Sequence, residues 1–500
     1  MLVLGLDLGT GGVRAIVLRV DDGEVLATAS APVLLHHPSE GASEQDPRDW
    51  WMAACDVIGT AIDKAACSSS DIAAVGLTGQ MHGCTLVDAR DEPVRPAILW
   101  NDQRSVEQCA ALGRLLDDTT WRRRFGKPPM TGLTLPSVCW VRDNDPQAFD
   151  LATGLLLPKD WLRLRLTGER ATDVGDASGT MLLDLHTRQW STEVCNDLHL
   201  NSDLLPCVHE SHVVTGTVHA EAAQATGLAA GTPVVAGAGD QQTGALACGI
   251  TKPGSVSLNL GTSGVLFGAT DTPPPPLARP AKGLHAFCHA VPDTWHVMGV
   301  MLAAGGALRW WRDITGASYD DLAAEAASIE PGAGGVYFKP YLSGERTPHE
   351  DASLSAAFVG MRLHHGRAHL SRAVFEGIAF GLRDGFDLVT MKQSANTLRF
   401  TGGASGHVFW QQLIADVMAC PLATVNVQDG SAFGAALLAA VAAGGFADVH
   451  DACTALVRET SMTMPTDGVL DDAFARWRAT TETCQAIPNV VSCSRPATTR

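Results

Sequence analysis

The feature that most constrains the fold of this 500-residue chain is an internal repeat. Residues Leu6–Val13 align without gaps on Leu258–Val265, and six of the eight positions are identical. Both copies lie between stretches rich in apolar residues, as expected for a glycine turn that joins two strands. The repeat therefore predicts two related domains that face each other across a cleft, each with one glycine turn.

We place the boundary between the two domains at residues 244 and 245. Lys252-Pro253-Gly254 supplies a turn shortly before the second copy of the repeat. The predicted domains are therefore 1–244 and 245–490, and 491–500 is predicted to be a disordered tail because it is polar and terminal.

The beginning of the chain predicts a β-meander rather than a dinucleotide-binding unit. Strands are predicted at Leu2–Asp7, Val13–Val20 and Glu24–Ala29, whereas a dinucleotide-binding unit would place a helix after the first glycine turn. A helix at Asp49–Ala66 and a strand at Ile72–Thr78 follow. This alternation favours the α/β class, with mixed sheets flanked by helices.

The composition of the chain indicates which classes of partner and which cellular compartment to expect. The net charge of −18 speaks against nucleic acid or an anionic membrane as the main partner. The 13 cysteines form neither a CxxC pair nor a cluster with zinc-ligand spacing, so we expect reduced thiols. The start lacks the pattern of a signal peptide, and the apolar run 432–447 is too short for a membrane span. We therefore expect a soluble, cytoplasmic protein and a buried helix at that run.

The two glycine turns are candidate phosphate sites. Glycine allows backbone N–H groups to approach phosphate oxygens closely, and Asp7, beside the first turn, could hold Mg²⁺ through water. The alternative is an ordinary hairpin in which Asp7 accepts hydrogen bonds from local N–H groups. The second copy has Asn259 instead, which avoids a second anion near a triphosphate.

Three further segments carry candidate chemistry. Asp240 follows the small residues 236–239 and could accept a proton from a substrate hydroxyl; an equally good interpretation is a helix cap. The turn 402–406 follows a strand and could take a phosphate or nucleoside. The loop 80–83 could orient a small polyol, although a lone histidine is more often structural.

Taken in this order, these motifs resemble the FGGY carbohydrate kinases over residues 1–445, and within them the xylulokinases. Pro158–Leu162 is similar to the first family signature and Gly360–Asp384 to the second. Gln80–Gly83 and the segment Trp100–Arg104 are similar to the sugar-contact segments of xylulokinases. Arg14 and Ser137 depart from the family, which more often has lysine at both positions.

The resemblance implies two actin-like (ribonuclease H-like) domains with the active-site cleft between them. The first domain would bind the sugar and the second the nucleotide. The activity would be transfer of the γ-phosphoryl group of ATP, with Mg²⁺, to the terminal hydroxyl of D-xylulose. The implied catalytic residues are Asp240 as base and Asp7 as the Mg²⁺ ligand. The implied sugar contacts are Gln80, Met81, His82, Trp100, Asn101 and Asp240, and the implied nucleotide contacts are Gly9, Thr10, Gly11, Gly261, Thr262, Ser263, Gly402, Gly403 and Ala404.

Three alternatives stay open at this point. The sugar could be another ketose or polyol, such as ribulose or glycerol. The chain could be an actin-like ATPase, although Asp240 and the Met81-His82 loop argue against that class. It could also be an inactive sugar-binding regulator, against which the presence of Asp7 and Asp240 argues. The partners expected are a small sugar and MgATP, and a homodimer is left open.

Overall fold

Two seven-stranded mixed sheets organise the chain in the computed structural model, which describes residues 1–273, 283–391, 395–427 and 430–480. The predicted tail, 491–500, lies outside the described residues. All strands of the first sheet precede residue 240 and all strands of the second follow residue 255. The prediction of an α/β fold with two mixed sheets is therefore confirmed.

The first half of the chain contains the strands of one sheet and a group of shorter elements inserted among them. In chain order these elements are β1 (Leu2–Gly9), β2 (Gly12–Arg19), β3 (Glu24–Pro32), β4 (Glu44–Gln45), α1 (Pro47–Lys64), β5 (Ile72–Gly79), β6 (Thr85–Val87), β7 (Ala97–Ile98), α2 (Val106–Leu115), α3 (Asp118–Phe125), α4 (Thr134–Asn144), α5 (Pro146–Leu151), β8 (Gly154–Leu156), α6 (Pro158–Thr167), β9 (Ala171–Asp173), α7 (Val174–Ala177), β10 (Leu183–Asp184), β11 (Gln189–Trp190), α8 (Thr192–Asp197), β12 (Cys207–His209), β13 (Val214–Thr217), α9 (Ala220–Thr226), β14 (Pro233–Val235), β15 (Ala238–Gly239) and α10 (Asp240–Ala247).

The second half has fewer inserted elements. In chain order these are β16 (Val256–Leu260), β17 (Gly264–Thr270), β18 (Leu284–Cys288), β19 (Trp295–Met301), α11 (Gly305–Thr315), α12 (Tyr319–Ala327), β20 (Tyr337–Lys339), β21 (Ala357–Val359), α13 (Arg367–Val389), β22 (Leu398–Thr401), α14 (Val408–Met418), β23 (Leu422–Val425), α15 (Gly430–Ala442), α16 (Val449–Leu456), β24 (Glu459–Thr463) and α17 (Asp471–Ala479).

The repeat in the sequence corresponds to a repeat in strand pairing. In the first sheet β1 pairs antiparallel with β2 and parallel with β5. In the second sheet β16 pairs antiparallel with β17 and parallel with β22. Each copy of the eight-residue motif therefore forms the turn of a hairpin at the carboxyl end of a strand that also has a parallel neighbour.

The two sheets are joined by helices packed between them. A Cβ added at Gly5 of β1 would lie 2.1 Å from the backbone oxygen of Ala432, so α15 lies directly on the first sheet. Helix α10 packs on α15, and its Ala245 belongs to the same buried apolar cluster as Phe267 of the second sheet. Because α15 comes from the second half of the chain, the two halves share this layer. The boundary at 244 and 245 stays a prediction.

Local signals account well for where the helices begin and end. Helix α1 begins at Pro47, two residues before the predicted start, because Asp46 accepts a hydrogen bond from the Arg48 N–H as its N-cap. The predicted buried helix at 432–447 ends earlier, at Ala442, shortly before Gly444, which has a φ of 78°. Within the described residues, no helix is both long and apolar enough to cross a bilayer.

Candidate active site

The two predicted catalytic carboxylates lie at the same edge of the first sheet. Asp7 on β1 is opposite Thr78 on β5, and Ala238 of β15 pairs with the same threonine from the other side. Asp240 follows β15 directly as the first residue of α10. The sheet therefore places both carboxylates at the carboxyl ends of two strands, β1 and β15, that both pair with β5.

A cleft of about 710 Å³ contains both carboxylates. Asp7, Arg14 and Asp240 line it from the first half of the chain, while Asn259 and the turn 401–403 line it from the second half. The cleft lies between the two sheets and is walled partly by α10 and α15. Asp7 and Asn259, from equivalent positions of the two copies of the repeat, thus line the same space.

The electrostatics of the cleft favour proton exchange near neutral pH. Burial, together with the nearby Asp240 carboxylate, raises the pKa of Asp7 to about 7, and Arg14 partly offsets this. Burial raises the pKa of Asp240 to about 6, against the opposing effect of hydrogen bonds from Gln241. A carboxylate with a pKa in this range is well matched to general-base work.

Asp240 does not cap its helix. Gly239 occupies the N-cap position of α10, and no side-chain capping hydrogen bond is formed there. The Asp240 carboxylate accepts a hydrogen bond from the Gln241 side chain at 3.3 Å. The Asp240 side chain lines the cleft and does not form the capping hydrogen bond of the helix.

Asp7 has the features that a magnesium ligand requires. Its Oδ1 atom is buried and has no hydrogen-bond partner. No group of three or more His, Cys, Asp or Glu side chains in the described part of the chain is arranged to hold a metal ion. A cation at Asp7 would therefore complete its coordination with water and ligand oxygens, as Mg²⁺ commonly does.

A second cavity, of about 410 Å³, lies in the second half of the chain and is a candidate nucleoside pocket. Gly261, Thr262 and Ala404 line it, and Gly403 lines both this pocket and the cleft. Gly402 has a φ of 91°, and an added Cβ would lie 2.5 Å from the Leu260 carbonyl oxygen. Only glycine fits there, which explains the tight turn between the two cavities.

The first glycine turn is held by the predicted sugar loop. The Thr10 hydroxyl donates to Gln80 Oε1 at 2.9 Å and accepts from the Trp100 indole N–H at 2.9 Å. Gln45 donates to the Thr10 carbonyl at 2.8 Å. Gly9, Thr10 and Gly11 line neither of the two cavities among the described residues. The hydroxyl predicted to bind nucleotide is therefore already engaged with residues predicted to bind sugar.

The sugar loop continues directly to the base. Met81 is buried, and an added Cβ at Gly239 would lie 2.6 Å from its Cγ, so the loop packs against the residue before Asp240. The Nδ1 atom of His82 lies 3.0 Å from the Gly179 carbonyl oxygen. Trp100 is 46% exposed, and Asn101 has a buried Oδ1 atom without a partner.

Among the predicted nucleotide contacts of the second glycine turn, Ser263 lines neither cavity.

Sequence reasoning missed a buried charge cluster beneath the base. Lys159 Nζ lies 2.6 Å from Asp160 Oδ1 and 2.8 Å from Asp173 Oδ1, and all three side chains are fully buried. The lysine also donates to the Ala236 carbonyl at 3.4 Å, on the segment that leads to Asp240. In the sequence, Lys159 and Asp160 stand out only as members of the first family signature. The position of Asp173 had no local signal because its partners are distant in sequence.

Comparison with known proteins agrees with this architecture. The N-terminal and C-terminal domain models of the FGGY family of carbohydrate kinases match residues 2–247 and 256–443. The xylulose kinase of Escherichia coli is 40% identical over 447 residues, which cover 88% of this chain and 90% of that one.

Solved structures give the same result at the level of the fold. The xylulose kinase from Rhodospirillum rubrum superposes with a TM-score of 0.88 at 31% identity, covering 97% of this chain and 99% of that one. The gluconate kinase from Lactobacillus acidophilus superposes with a TM-score of 0.90 at 23% identity, covering 97% and 98%. Because proteins named for different sugars share this fold, the fold alone does not select a substrate.

Proposed function

Because the chain belongs to the FGGY family of carbohydrate kinases, we propose that it transfers the γ-phosphoryl group of ATP to the terminal hydroxyl of D-xylulose. The products are D-xylulose 5-phosphate and ADP. The choice of sugar is supported by the 40% identity to a xylulose kinase over most of both chains. The single structural observation that carries the chemistry is the pair Asp7 and Asp240 in one cleft.

In this proposal Asp240 is the general base. Its raised pKa of about 6 leaves it ionised at neutral pH yet basic enough to accept the proton of the attacking hydroxyl. Phosphoryl transfer otherwise requires mainly positioning and stabilisation of charge. The packing of Met81 against Gly239 fixes the sugar loop relative to the base, which supports a sugar held by residues 80–82, Trp100 and Asn101 with its terminal hydroxyl at Asp240.

Asp7 would hold Mg²⁺ through its unpartnered Oδ1 atom. When bound, Mg²⁺ neutralises charge on the phosphates. Its positive charge would also relieve the repulsion between Asp7 and Asp240 that raises the pKa of Asp7. Asn259, at the matching position of the second copy, adds no further negative charge to the cleft.

The nucleotide is proposed to lie across the turn at Gly403. The 410 Å³ pocket is within the common size range of small-ligand sites and takes the nucleoside. Gly403 borders both cavities, so the phosphates extend from that pocket past Thr262 towards the cleft. Glycine backbone at the turns that contain Gly261 and Gly403 allows close approach of the phosphate oxygens.

An ATP-consumption assay with a panel of ketoses and polyols tests the proposal. D-Xylulose is expected to give the highest kcat/KM, with roughly 10–100-fold discrimination against D-ribulose, since a misplaced hydroxyl leaves a buried polar group unpaired. Equal use of ribulose, or a preference for glycerol or gluconate, would overturn the sugar assignment. Absence of sugar-dependent ATP consumption with every sugar would overturn the kinase assignment in favour of an ATPase or an inactive regulator.

Asp240→Ala tests the role of the base separately. Loss of a positioned base should lower kcat by about 10²–10⁴-fold while the affinity for ADP stays near that of the wild type. Near-normal turnover in a folded variant would show that another group takes the proton.

A further inference from the structure

A lysine outside the sites described so far is buried next to the sugar loop. Lys127 follows Gly126, the C-terminal cap of α3, and its side chain is fully buried. Its ammonium donates to the carbonyl oxygens of Phe125 at 2.9 Å, Ser178 at 3.0 Å and Ala286 at 3.5 Å. The Lys127 side chain thereby joins three separate segments, one of which is strand β18 of the second sheet. Burial lowers the pKa of Lys127 to about 7.

The same lysine also contacts the sugar loop indirectly, because the ring of Phe287 lies between Lys127 and His82. Lys127 Nζ lies 4.0 Å from the ring centroid of Phe287 on β18, close enough for a cation–π interaction. The Phe287 ring in turn lies 5.9 Å from the His82 ring, with 26° between their planes. Phe287, from the second half of the chain, therefore packs against one face of the His82 ring.

The backbone of the sugar loop is strained at this residue. His82 has a φ of 70°, in the left-handed region of backbone conformation that residues other than glycine rarely adopt. Strained residues persist only where their surroundings determine the conformation. Thr134 donates to the His82 carbonyl at 2.9 Å, and the Gly179 carbonyl holds Nδ1 at 3.0 Å. Gly179 directly follows Ser178, whose carbonyl is held by Lys127.

These contacts determine the protonation of the imidazole. A carbonyl oxygen can only accept, so the proton of His82 lies on Nδ1. Burial and the nearby Lys127 charge lower the pKa of His82 to about 3, which keeps the ring neutral. Its Nε2 atom is then an acceptor, and it makes no hydrogen bond to any part of the chain that the structure describes.

We propose that Lys127 and Phe287 are positioning residues that fix the orientation of the His82 ring, so that its Nε2 atom accepts a hydrogen bond from one hydroxyl of the sugar. This inference rests on the proposed function and adds to it the residues that set the sugar preference. A hydroxyl of the opposite configuration leaves Nε2 without a donor. Lys127 thereby acts on sugar selection through His82 rather than by touching the substrate.

Lys127→Met tests the inference, because methionine keeps much of the apolar stem and removes the amine that contacts Ser178 and the Phe287 ring. We expect the KM for D-xylulose to rise about tenfold and the preference over D-ribulose to fall by a similar factor, within the range of coupling between contacting residues. The KM for ATP should change less than about twofold. An unchanged sugar KM and an unchanged preference in the folded variant would overturn the inference.

A double-mutant cycle separates positioning from a merely structural role. If Lys127 acts through His82, Lys127→Met introduced into a His82→Ala background should change the sugar KM less than about twofold. The same tenfold effect in both backgrounds would mean that Lys127 acts by another route. If Lys127→Met does not fold, Phe287→Leu replaces it in the same cycle with the same two outcomes.

The chain offers a matched control at a second buried lysine. Lys339 is also fully buried, and its Nζ lies 3.3 Å from the ring centroid of Trp477. It donates to the Trp477 carbonyl oxygen on α17 rather than to a segment that contacts the sugar loop. Lys339→Met should lower thermal stability without changing either the sugar KM or the sugar preference. If wild type shows no sugar-dependent activity, the proposed function fails; if wild type prefers D-xylulose and only the cycle fails, the positioning role alone is wrong.

Discussion

Replacing Asp7 with asparagine should stabilise the ligand-free protein while impairing its activity. Burial in the folded state makes Asp7 costly to ionise, and repulsion from the nearby Asp240 carboxylate adds to this cost. Its pKa is about 7 in the folded protein, against 3.8 for an unperturbed aspartate. Asparagine has nearly the same shape and carries no charge, so the substitution removes this cost.

The sign and size of the effect follow from the two pKa values. A carboxyl group with the higher pKa in the folded state binds its proton more tightly when folded, so its ionisation destabilises the fold as pH rises. The effect is absent below pH 3.8 and complete above about pH 7. At about 1.4 kcal/mol per pH unit, the interval between the two pKa values limits this destabilisation of the folded protein to roughly 4 kcal/mol. Because Asp7 is partly open to water in the cleft, we expect about 1–2 kcal/mol.

Thermal unfolding of the ligand-free protein, without Mg²⁺, measures this effect. Asp7→Asn should unfold at a higher temperature than wild type at pH 8, and the difference should shrink at pH 5. Asp240→Asn is the matched comparison and should show a smaller gain, since its pKa is raised only to about 6. A lower unfolding midpoint for Asp7→Asn at pH 8 would refute the reasoning and return Asp7 to the ordinary hairpin interpretation.

Three further outcomes are expected. In wild type, kcat/KM for the sugar should fall as pH is lowered through about 6, because a protonated Asp240 cannot accept a proton; a profile that is flat between pH 5 and 8 would contradict this. Asp7→Asn should also require more Mg²⁺ for half-maximal turnover, and an unchanged Mg²⁺ titration would remove Asp7 from the metal site. Gly239→Ala should raise the sugar KM about tenfold, because the new Cβ would lie 2.6 Å from Met81 Cγ, whereas Gly113→Ala, with open space around it, should leave KM unchanged.

The parts of the structure that the sequence predicted well are those specified by short-range patterns. The repeat at Leu6–Val13 and Leu258–Val265 predicted two hairpin turns, and both form at equivalent places in the two sheets. Alternating strands and helices gave the α/β class. Helix α1 (Pro47–Lys64) lies within two residues of its predicted bounds at each end, because Asp46 caps it and proline begins it.

Long-range side-chain contacts could not be predicted in this way. Thr10 has the local sequence of a phosphate turn, yet its hydroxyl binds Gln80 and Trp100, which are 70 and 90 residues away. Lys127 and Phe287 are 160 positions apart and carry no motif that relates them. A periodic pattern reports which face of an element is apolar, but it does not report which buried polar groups become neighbours.

Asp240 shows how the structure distinguishes between two interpretations that the sequence left equal. A capping aspartate would accept hydrogen bonds from the first turn of α10, which would stabilise its ionised form and lower its pKa. Gly239 instead occupies the cap position, and burial raises the pKa of Asp240 to about 6. The fold therefore bears the cost of a buried carboxylate without gaining a helix cap. Costs of this kind are concentrated at functional sites, and this supports the role of Asp240 as the base.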